Sequence, residues 1–190
     1  MKGYKIMKII FFRHGETDYN VKCLLQGAGI NSMLNKKGIQ QAKELALKTS
    51  SLGLEKIYCS TLTRAIQTAT LTAAACGLDV EPIKGVEEFH YGDAEGMTLK
   101  AAAEKYIDMK KIIFDEVDES AYDKSLPKGE TIRQCVKRFE KALKRIKKLN
   151  QGKYKCIGVF THGAIMCLIY DYFYHERKVF KNCDWFEAEI

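Results

Sequence analysis

Two segments of the chain place a histidine and a glycine directly after an apolar stretch. His14 and a glycine follow Ile-Ile-Phe-Phe-Arg, and His162-Gly163 follow Val-Phe-Thr. Such β-branched and aromatic stretches are typical of buried strands, and open α/β folds bind ligands at the carboxyl ends of strands. There Arg13, Asn20 and nearby backbone amides could hold a phosphate while His14 attacks phosphorus. One segment alone is equally consistent with a structural histidine, but two among four histidines favour a functional pair.

Two further segments add a cation and carboxylates. Arg64 follows the next predicted strand, at the start of a helix, where a cation is disfavoured unless an anion binds there. Glu88 lies in an acidic loop that contains two glycines. This loop is either a solvated turn or the source of a proton for a leaving alkoxide. The second role requires a pKa raised by burial or by neighbouring negative charge.

Together these residues predict a phosphoryl-transfer site. Two arginines and two histidines would neutralise the phosphate oxygens as charge builds on them. Neutral His14 would attack in line, with its other ring nitrogen donating to a backbone carbonyl near Gly15. Water would then hydrolyse the phosphohistidine, with Glu88 as the base. We expect no metal and no other cofactor, since the histidines lack metal-ligand spacing.

The elements that must position these residues alternate between strand and helix. Strands are predicted at 8–12, 56–60, 79–83, 154–161 and 182–189, and helices at 36–51, 63–76, 131–150 and 164–174. This order predicts an α/β fold, a mostly parallel sheet with helices on both faces. We expect one domain over residues 1–190, with a short lid insertion at about 97–126 above the carboxyl ends of the strands.

The net charge of +7 is concentrated in one predicted helix. Residues 131–150 contain eight basic residues and one acidic residue, so the rest of the chain is neutral. The apolar residues of this helix fall at helical spacing and are expected to be buried: Ile132, Val136, Phe139, Leu143, Ile146 and Leu149. The basic residues are therefore interpreted as a solvated face, and no nucleic-acid partner is expected.

The remaining composition favours a cytoplasmic protein with a small-molecule substrate. The chain has no apolar run of membrane-spanning length, and its first seven residues lack a signal-peptide pattern. The seven cysteines are scattered and include no Cys-x-x-Cys pair, which is typical of reduced thiols and not of a disulfide framework or a zinc site. The sequence does not indicate an oligomeric state.

Several motifs in order resemble those of one family, the histidine phosphatase superfamily of phosphoglycerate-mutase-like proteins. The resemblance extends from near Lys8 to the C-terminus. The matching segments are Arg13-His14-Gly15-Glu16-Thr17 with Asn20, Gln26-Gly27, Gly38–Ala42, Ser60–Ala69, Glu88–Gly96, Pro127–Thr131 and His162-Gly163. The resemblance implies the family's three-layer α/β/α sandwich.

The resemblance also implies roles for individual residues. His14 would be the phosphorylated nucleophile and Glu88 the proton donor. The phosphate pocket would consist of Arg13, Asn20, Arg64, His162 and the adjacent Gly163, with Gln26 at its edge. The sequence departs from the family pattern at Asn31–Asn35, which leaves that loop's conformation open, and at Ala94, where relatives often carry an aromatic residue.

The resemblance is greater to the small phosphatases of the family, such as the α-ribazole and broad-specificity types. Phe89 stands where the mutases carry an arginine, and only 30 residues separate Gly96 from Pro127. We therefore expect hydrolysis of a small phosphomonoester. A cofactor-dependent phosphoglycerate mutase is the alternative, and a non-catalytic phosphate-binding module is a second one.

Two further expectations concern the surroundings of the site. The candidate substrate contacts in the lid are Lys100, Lys105, Tyr106, Lys110, Lys111, Phe114 and Tyr122. His14, beyond the end of its strand, is expected to be exposed, so that its replacement should leave folding intact.

Overall fold

A five-stranded sheet forms the centre of the protein. The structure is a computed structural model that describes residues 6–106 and 121–190. The strands are β1 (Lys8–Arg13), β2 (Lys56–Cys59), β3 (Val80–Pro82), β4 (Cys156–Thr161) and β5 (Trp185–Glu189). Their order is β3-β2-β4-β1-β5. All neighbours are parallel except β5, which pairs antiparallel with β1 at one edge.

The register brings the ends of three strands to the same edge. Arg13 pairs with Thr161 at the ends of β1 and β4, and Cys59 of β2 pairs with Phe160. The residues that follow these strands therefore emerge side by side. This register places His14, Arg64 and His162 close together, as the motif positions predict.

The four predicted helices lie between the strands in the predicted order, and two short helices were not predicted. In the described residues the helices are α1 (Asp18–Val21), α2 (Lys36–Thr49), α3 (Thr63–Cys76), α4 (Leu99–Lys105), α5 (Ile132–Asn150) and α6 (Gly163–Tyr174), of which α1 and α4 are the additional ones. A 3₁₀ turn spans Gly92–Ala94. Among residues 6–106 and 121–190, no helix combines the length and apolarity needed to cross a lipid bilayer.

Two apolar clusters on opposite faces of the sheet hold the layers together. On one face, Phe12 of β1 packs with residues of α2 and α3, such as Leu45 and Ala69. On the other face, Phe11 packs with residues of α5 and α6, such as Phe139 and Ile165. Alternate residues of the buried strand β1 thus point to different helix pairs. The predicted three-layer α/β/α sandwich is confirmed.

Helix α5 differs from the prediction at its C-terminal end. The predicted buried face included Leu149, but this residue is 40% exposed and Asn150 is 2% exposed. The Asn150 side-chain amide donates to the hydroxyl of Tyr58 at 3.0 Å and to the carbonyl of Ile146 at 2.6 Å. These bonds satisfy a buried polar group, which apolar periodicity alone cannot indicate.

Candidate active site

A cleft of about 500 Å³ opens at the carboxyl ends of the central strands. Seven of the eight predicted site residues line it: Arg13, His14, Asn20, Gln26, Arg64, Glu88 and Gly163. The eighth, His162, is fully buried in direct contact with Arg64. The structure thus brings together all of the residues that the motifs single out.

His14 is held by the backbone at the end of β1. Its amide donates to the carbonyl of Thr161 at 3.1 Å, and its Nδ1 lies 2.6 Å from the carbonyl oxygen of Gly15. A carbonyl only accepts, so Nδ1 carries the proton and Nε2 keeps its lone pair. The predicted contact with a backbone carbonyl near Gly15 is therefore confirmed.

The expected exposure of His14 is wrong, since the residue is only 2% exposed. Its ring contacts Arg64 and the ring of His162, and the adjacent Gly15 packs against α2. A Cβ on Gly15 would lie 2.5 Å from the carbonyl oxygen of Gly38, in the first turn of that helix. Burial, followed by the charges of Arg64 and Arg13, holds the pKa of His14 well below its usual 6.5. Its imidazole is therefore neutral at physiological pH, as a nucleophile requires.

Arg64 links the two histidines. Its Nε donates towards Nε2 of His14 at 3.3 Å and Nδ1 of His162 at 3.1 Å. Its terminal nitrogens donate to the carbonyls of Ile30 and Gly27, both at 2.8 Å. Burial lowers the pKa of Arg64 to about 10, opposed by the charges of nearby glutamates. The guanidinium therefore remains charged at neutral pH in a fully buried position.

His162 has the opposite ring assignment to His14. Arg64 can only donate, so Nδ1 of His162 accepts from it, and Nε2, which carries the proton, donates to the Ser60 hydroxyl at 2.8 Å. Burial, then the charges of Arg64 and His14, hold the pKa of His162 well below 6.5. The centroids of the two rings are 5.1 Å apart.

Glu88 lies at the N-terminus of α6. Its Oε1 accepts from the amides of Phe89 at 2.9 Å and Ile165 at 3.0 Å, and its Oε2 accepts from the amide of Ala164 at 3.2 Å. His162, the N-cap residue, makes no side-chain capping bond. The carboxylate therefore caps this helix from a distant loop, and these bonds fix its orientation at the cleft.

Arg13 also lines the cleft, against Gly163 at the start of α6. Its Nη1 donates to the carbonyl of Phe180, and its Nε has no hydrogen-bond partner in the described part of the chain. A Cβ at Gly163 would lie 3.0 Å from the guanidinium carbon. Glycine at this position thus leaves the room that the Arg13 side chain occupies.

Asn20 and Gln26 are fixed by local bonds. The side-chain oxygen of Asn20 accepts from the Thr17 amide at 3.1 Å and from the Asn182 side chain at 3.3 Å. The side-chain oxygen of Gln26 accepts from the hydroxyl of Ser32. Each oxygen is occupied in this way, and within residues 6–106 and 121–190 the amide NH₂ groups have no hydrogen-bond acceptor, so they are donors suited to an anion.

The structure shows the conformation at the two places where the sequence departs from the family motifs. Asn31 accepts from the amide of Thr63 at 2.7 Å, in the first turn of α3. Asn35 caps α2 by accepting from Gly38 at 2.7 Å. Ala94 is fully buried and does not line the cleft. The loop at 31–35 is therefore ordered by capping bonds, and the pocket wall is not opened at Ala94.

The candidate substrate contacts of the predicted lid differ in their position relative to the cleft. Of the predicted contacts in the described residues, Tyr122 lines the cleft, whereas Lys100, Lys105 and Tyr106 do not. Lys110, Lys111 and Phe114 lie outside the described residues. The first part of the predicted lid contains α4, whose Leu99 lines the cleft.

Sequence reasoning missed Arg138, which was counted with the solvated basic face of α5. Its side chain is 24% exposed and donates to the backbone carbonyl of Glu88 at 2.9 Å. It also pairs with Glu130 at 2.7 Å. The position of Arg138 among the basic residues of α5 gives no signal of this inward direction, because the partner is an irregular loop distant in sequence.

Comparisons with known sequences find relatives of most of the chain. The sequence profile of the histidine phosphatase superfamily (branch 1) matches residues 9–184. The probable phosphoglycerate mutase GpmB of Escherichia coli O1:K1 / APEC is 29% identical over 165 residues, which cover 86% of this chain and 74% of that protein.

Two solved structures have a similar fold. The putative alpha-ribazole-5'-P phosphatase of Escherichia coli K-12 has a TM-score of 0.79 at 24% identity, covering 97% of this chain and 90% of that one. The phosphoserine phosphatase of Entamoeba histolytica, solved in complex with 3-phosphoglyceric acid, has a TM-score of 0.77 at 27% identity, covering 95% and 89%. The chain belongs to the histidine phosphatase superfamily, branch 1.

Proposed function

We propose that this protein is a metal-independent phosphatase that hydrolyses a small phosphomonoester through a phosphohistidine on His14. The observation that carries the proposal is the bond between Nδ1 of His14 and the carbonyl of Gly15 at 2.6 Å. It fixes the tautomer in which Nε2, on the side of Arg64, has a lone pair. A neutral imidazole beside two arginines is suited to attack a phosphate.

In the first half of the proposed reaction, Nε2 of His14 forms a bond to phosphorus while the ester P–O bond breaks. Arg13, Arg64 and the neighbouring polar side chains neutralise the phosphoryl oxygens as charge builds on them. Glu88, which takes up a proton beside the negatively charged phosphate of the bound substrate, gives that proton to the leaving alkoxide. The products of this half are the alcohol, a phosphohistidine and a glutamate carboxylate.

In the second half, water attacks phosphorus and the P–N bond breaks. The Glu88 carboxylate takes a proton from the water, which restores the carboxylic acid. Orthophosphate leaves, and Nε2 of His14 regains its lone pair. The two arginines supply the positive charge that a metal ion provides in other phosphatases, so the proposed reaction includes no metal or cofactor.

The rest of the cleft would hold the alcohol part of the substrate. Its walls include the apolar or aromatic side chains of Leu25, Leu99, Tyr122, Leu168 and Val179, together with the charged side chains of Asp171, Arg177 and Lys178. This mixture favours an alcohol that carries both apolar surface and polar groups. We propose that residues 97–126 act as the lid of a single domain, since both Leu99 and Tyr122 come from this segment.

A mutase is the second candidate, and it is favoured by the name of the Escherichia coli relative. A mutase acting on phosphoglycerate needs a cation for the substrate carboxylate and a site that excludes water from its bisphosphorylated intermediate. The residue that follows Glu88 is Phe89, which lines the cleft and is 3% exposed. This position therefore supplies no cation, which supports hydrolysis over mutase activity; two other cations that line the cleft, Arg177 and Lys178, lie in the segment after α6.

The proposal includes a cytoplasmic location and no nucleic-acid partner. All seven cysteines are free, and Cys59, Cys135 and Cys156 are buried, which supports a reducing compartment. The basic residues on the outer face of α5, such as Lys141 and Lys144, are exposed. We interpret them as a solvated surface of the enzyme.

The test is phosphate release from a panel of phosphomonoesters in excess EDTA, with wild type compared with His14→Ala. The panel includes 3-phosphoglycerate with and without 2,3-bisphosphoglycerate. Release that disappears in the variant supports a histidine phosphatase. Isomerisation of 3-phosphoglycerate without release would support the mutase, and inactivity on every ester would support a binding module.

A further inference from the structure

The loop that carries Glu88 has no helix or strand of its own between Ile83 and Tyr91. Backbone groups in such a loop lack the partners that a helix or sheet provides. Here the partners come from α5. The side chain of Arg138 enters the loop from this helix, although a simple helical projection places it with the solvated lysines.

All five N–H donors of the Arg138 guanidinium are used. Nη1 donates to the carbonyls of Gly85 at 3.0 Å and Glu87 at 2.9 Å. Nη2 donates to the carbonyl of Glu88 at 2.9 Å and to Glu130 at 2.7 Å, and Nε donates to Glu130 at 2.9 Å. A guanidinium is the side chain whose planar donors can satisfy so many acceptors at once.

Glu130 completes the contact from the other side of the loop. Its Oε1 also accepts from the amide of His90 at 2.9 Å, and its own amide donates to the carbonyl of His90 at 2.9 Å. The pair therefore binds backbone groups on both sides of Glu88. At Gly85, where φ is +102°, an added Cβ would lie 2.6 Å from the Arg138 carbonyl, so the loop contacts α5 directly.

The opposite end of Glu88 is held by α6. Its carboxylate accepts from the amides of Ala164 and Ile165, while its backbone carbonyl accepts from Arg138. The backbone of Glu88 is thus fixed to one helix and its carboxylate to another. Displacing the backbone would move the carboxylate relative to the reacting atoms, and misplacement by about 1 Å can cost roughly 10²-fold in rate.

We propose that Arg138 and Glu130 are positioning residues that place the Glu88 carboxylate for proton transfer to the leaving group. The proposal rests on the proposed function, because it assigns the proton donor of that reaction. Neither residue lines the cleft in the described part of the chain. Their effect reaches the substrate only through Glu88.

The test uses the dependence of rate on the leaving group. Aryl phosphates such as p-nitrophenyl phosphate need little protonation, whereas alkyl phosphates need a proton donor. Arg138→Lys keeps the charge but cannot supply five planar donors. We expect it to lower kcat for an alkyl phosphomonoester on the order of 10²-fold, and to change kcat for p-nitrophenyl phosphate much less.

A second arm measures coupling to Glu88. In a Glu88→Gln background, Arg138→Lys should produce no further loss on the alkyl ester, because the group that it positions no longer donates a proton. Glu130→Gln keeps the size of the side chain and should lower the ratio of the alkyl-ester rate to the aryl-ester rate by about tenfold. If circular dichroism shows that Arg138→Lys does not fold, Glu130→Gln serves as the test in its place.

Arg145→Lys is the matched control, since Arg145 lies on the exposed side of the same helix; we expect it to leave both rates unchanged. The positioning role would be overturned if Arg138→Lys slowed hydrolysis of the two esters equally, or if its loss added to that of Glu88→Gln. Hydrolysis by wild type and its loss in His14→Ala would then still support the proposed function. Absence of metal-independent hydrolysis by wild type would overturn both.

Discussion

The two histidines at the ends of β1 and β4 follow the same strand-His-Gly pattern, yet their rings have opposite hydrogen-bond assignments. His14 donates from Nδ1 to the backbone carbonyl of Gly15, which leaves Nε2 as an acceptor. His162 donates from Nε2 to Ser60 and accepts at Nδ1 from Arg64. The same motif therefore produces two different chemical groups.

The surroundings of the two rings explain the difference. His14 lines the cleft, and its lone pair lies next to the charged Arg64. His162 is fully buried, with both ring nitrogens engaged by side chains. A sequence motif thus specifies a position at the sheet edge, while the groups that contact the ring determine what it can do. We expect His14 to react and His162 to hold Arg64 in place.

The largest effect is expected from replacing the proposed nucleophile. His14→Ala should lower kcat by about 10⁴-fold or more, as is typical when a catalytic nucleophile is removed. Because His14 is buried, the variant should also lose roughly 1–3 kcal/mol of unfolding free energy. Phosphate release and urea denaturation measure the two effects. Turnover within tenfold of wild type would contradict a reacting His14.

His162→Ala should have a smaller effect, of about 10²-fold on kcat, comparable to removing one group that stabilises transition-state charge. The reason is that Arg64 loses one of its two imidazole acceptors. Rapid-quench experiments with an aryl phosphate should still detect phosphoenzyme in this variant. A variant that forms none would make the two histidines functionally equivalent, against our interpretation.

The stability of the protein should fall as the pH falls below about 6.5. The pKa values of His14 and His162 are held well below 6.5 by burial first and by Arg64 next. In acid the unfolded chain therefore takes up protons that the folded protein does not. Each histidine contributes up to about 1.4 kcal/mol per pH unit to the slope.

Urea denaturation between about pH 7 and pH 5.5 measures this slope. His162→Gln removes one of the two buried imidazoles and should reduce the histidine contribution by roughly half. An unfolding free energy that is the same across this pH window would contradict buried, neutral histidines.

The smallest effect is expected at Ser60, which contacts His162 and not the cleft. Ser60→Ala removes the acceptor for the Nε2 proton of His162, which costs about 1 kcal/mol and so roughly fivefold in rate. Ser51→Ala, at an exposed position, is the control. A loss as large as that of His14→Ala would show that Ser60 has a more direct role.

Much of the site could be predicted because it depends on strand ends. The predicted bounds of α3, Thr63–Cys76, are those observed, and Gly77 ends this helix in the left-handed region at φ +67°. Parallel strands deliver the residues after their carboxyl ends to one edge. The start of α3 directly after β2 and the common edge of the strand ends are enough to predict Arg64 near both histidines.

The remainder depends on contacts between segments distant in sequence. Periodicity indicates which way a residue points on α5, but not that an irregular loop packs beside it, so Arg138 was counted with the solvated lysines. The burial of His14 depends on tertiary contacts of its segment, such as those of its ring with Arg64 and those of Gly15 with Gly38. The three amides that orient Glu88 include two from α6, whose placement requires the assembled sheet.

The most direct test of the account is to locate the phosphoryl group on the enzyme. Wild type is mixed with p-nitrophenyl phosphate, quenched in base to preserve phosphohistidine, and mapped by peptide mass spectrometry. We predict one phosphoryl group, on His14, and ³¹P–¹⁵N coupling that places it on Nε2. Phosphate on His162, on Nδ1 of His14, or on no histidine during turnover would contradict the difference between the two rings.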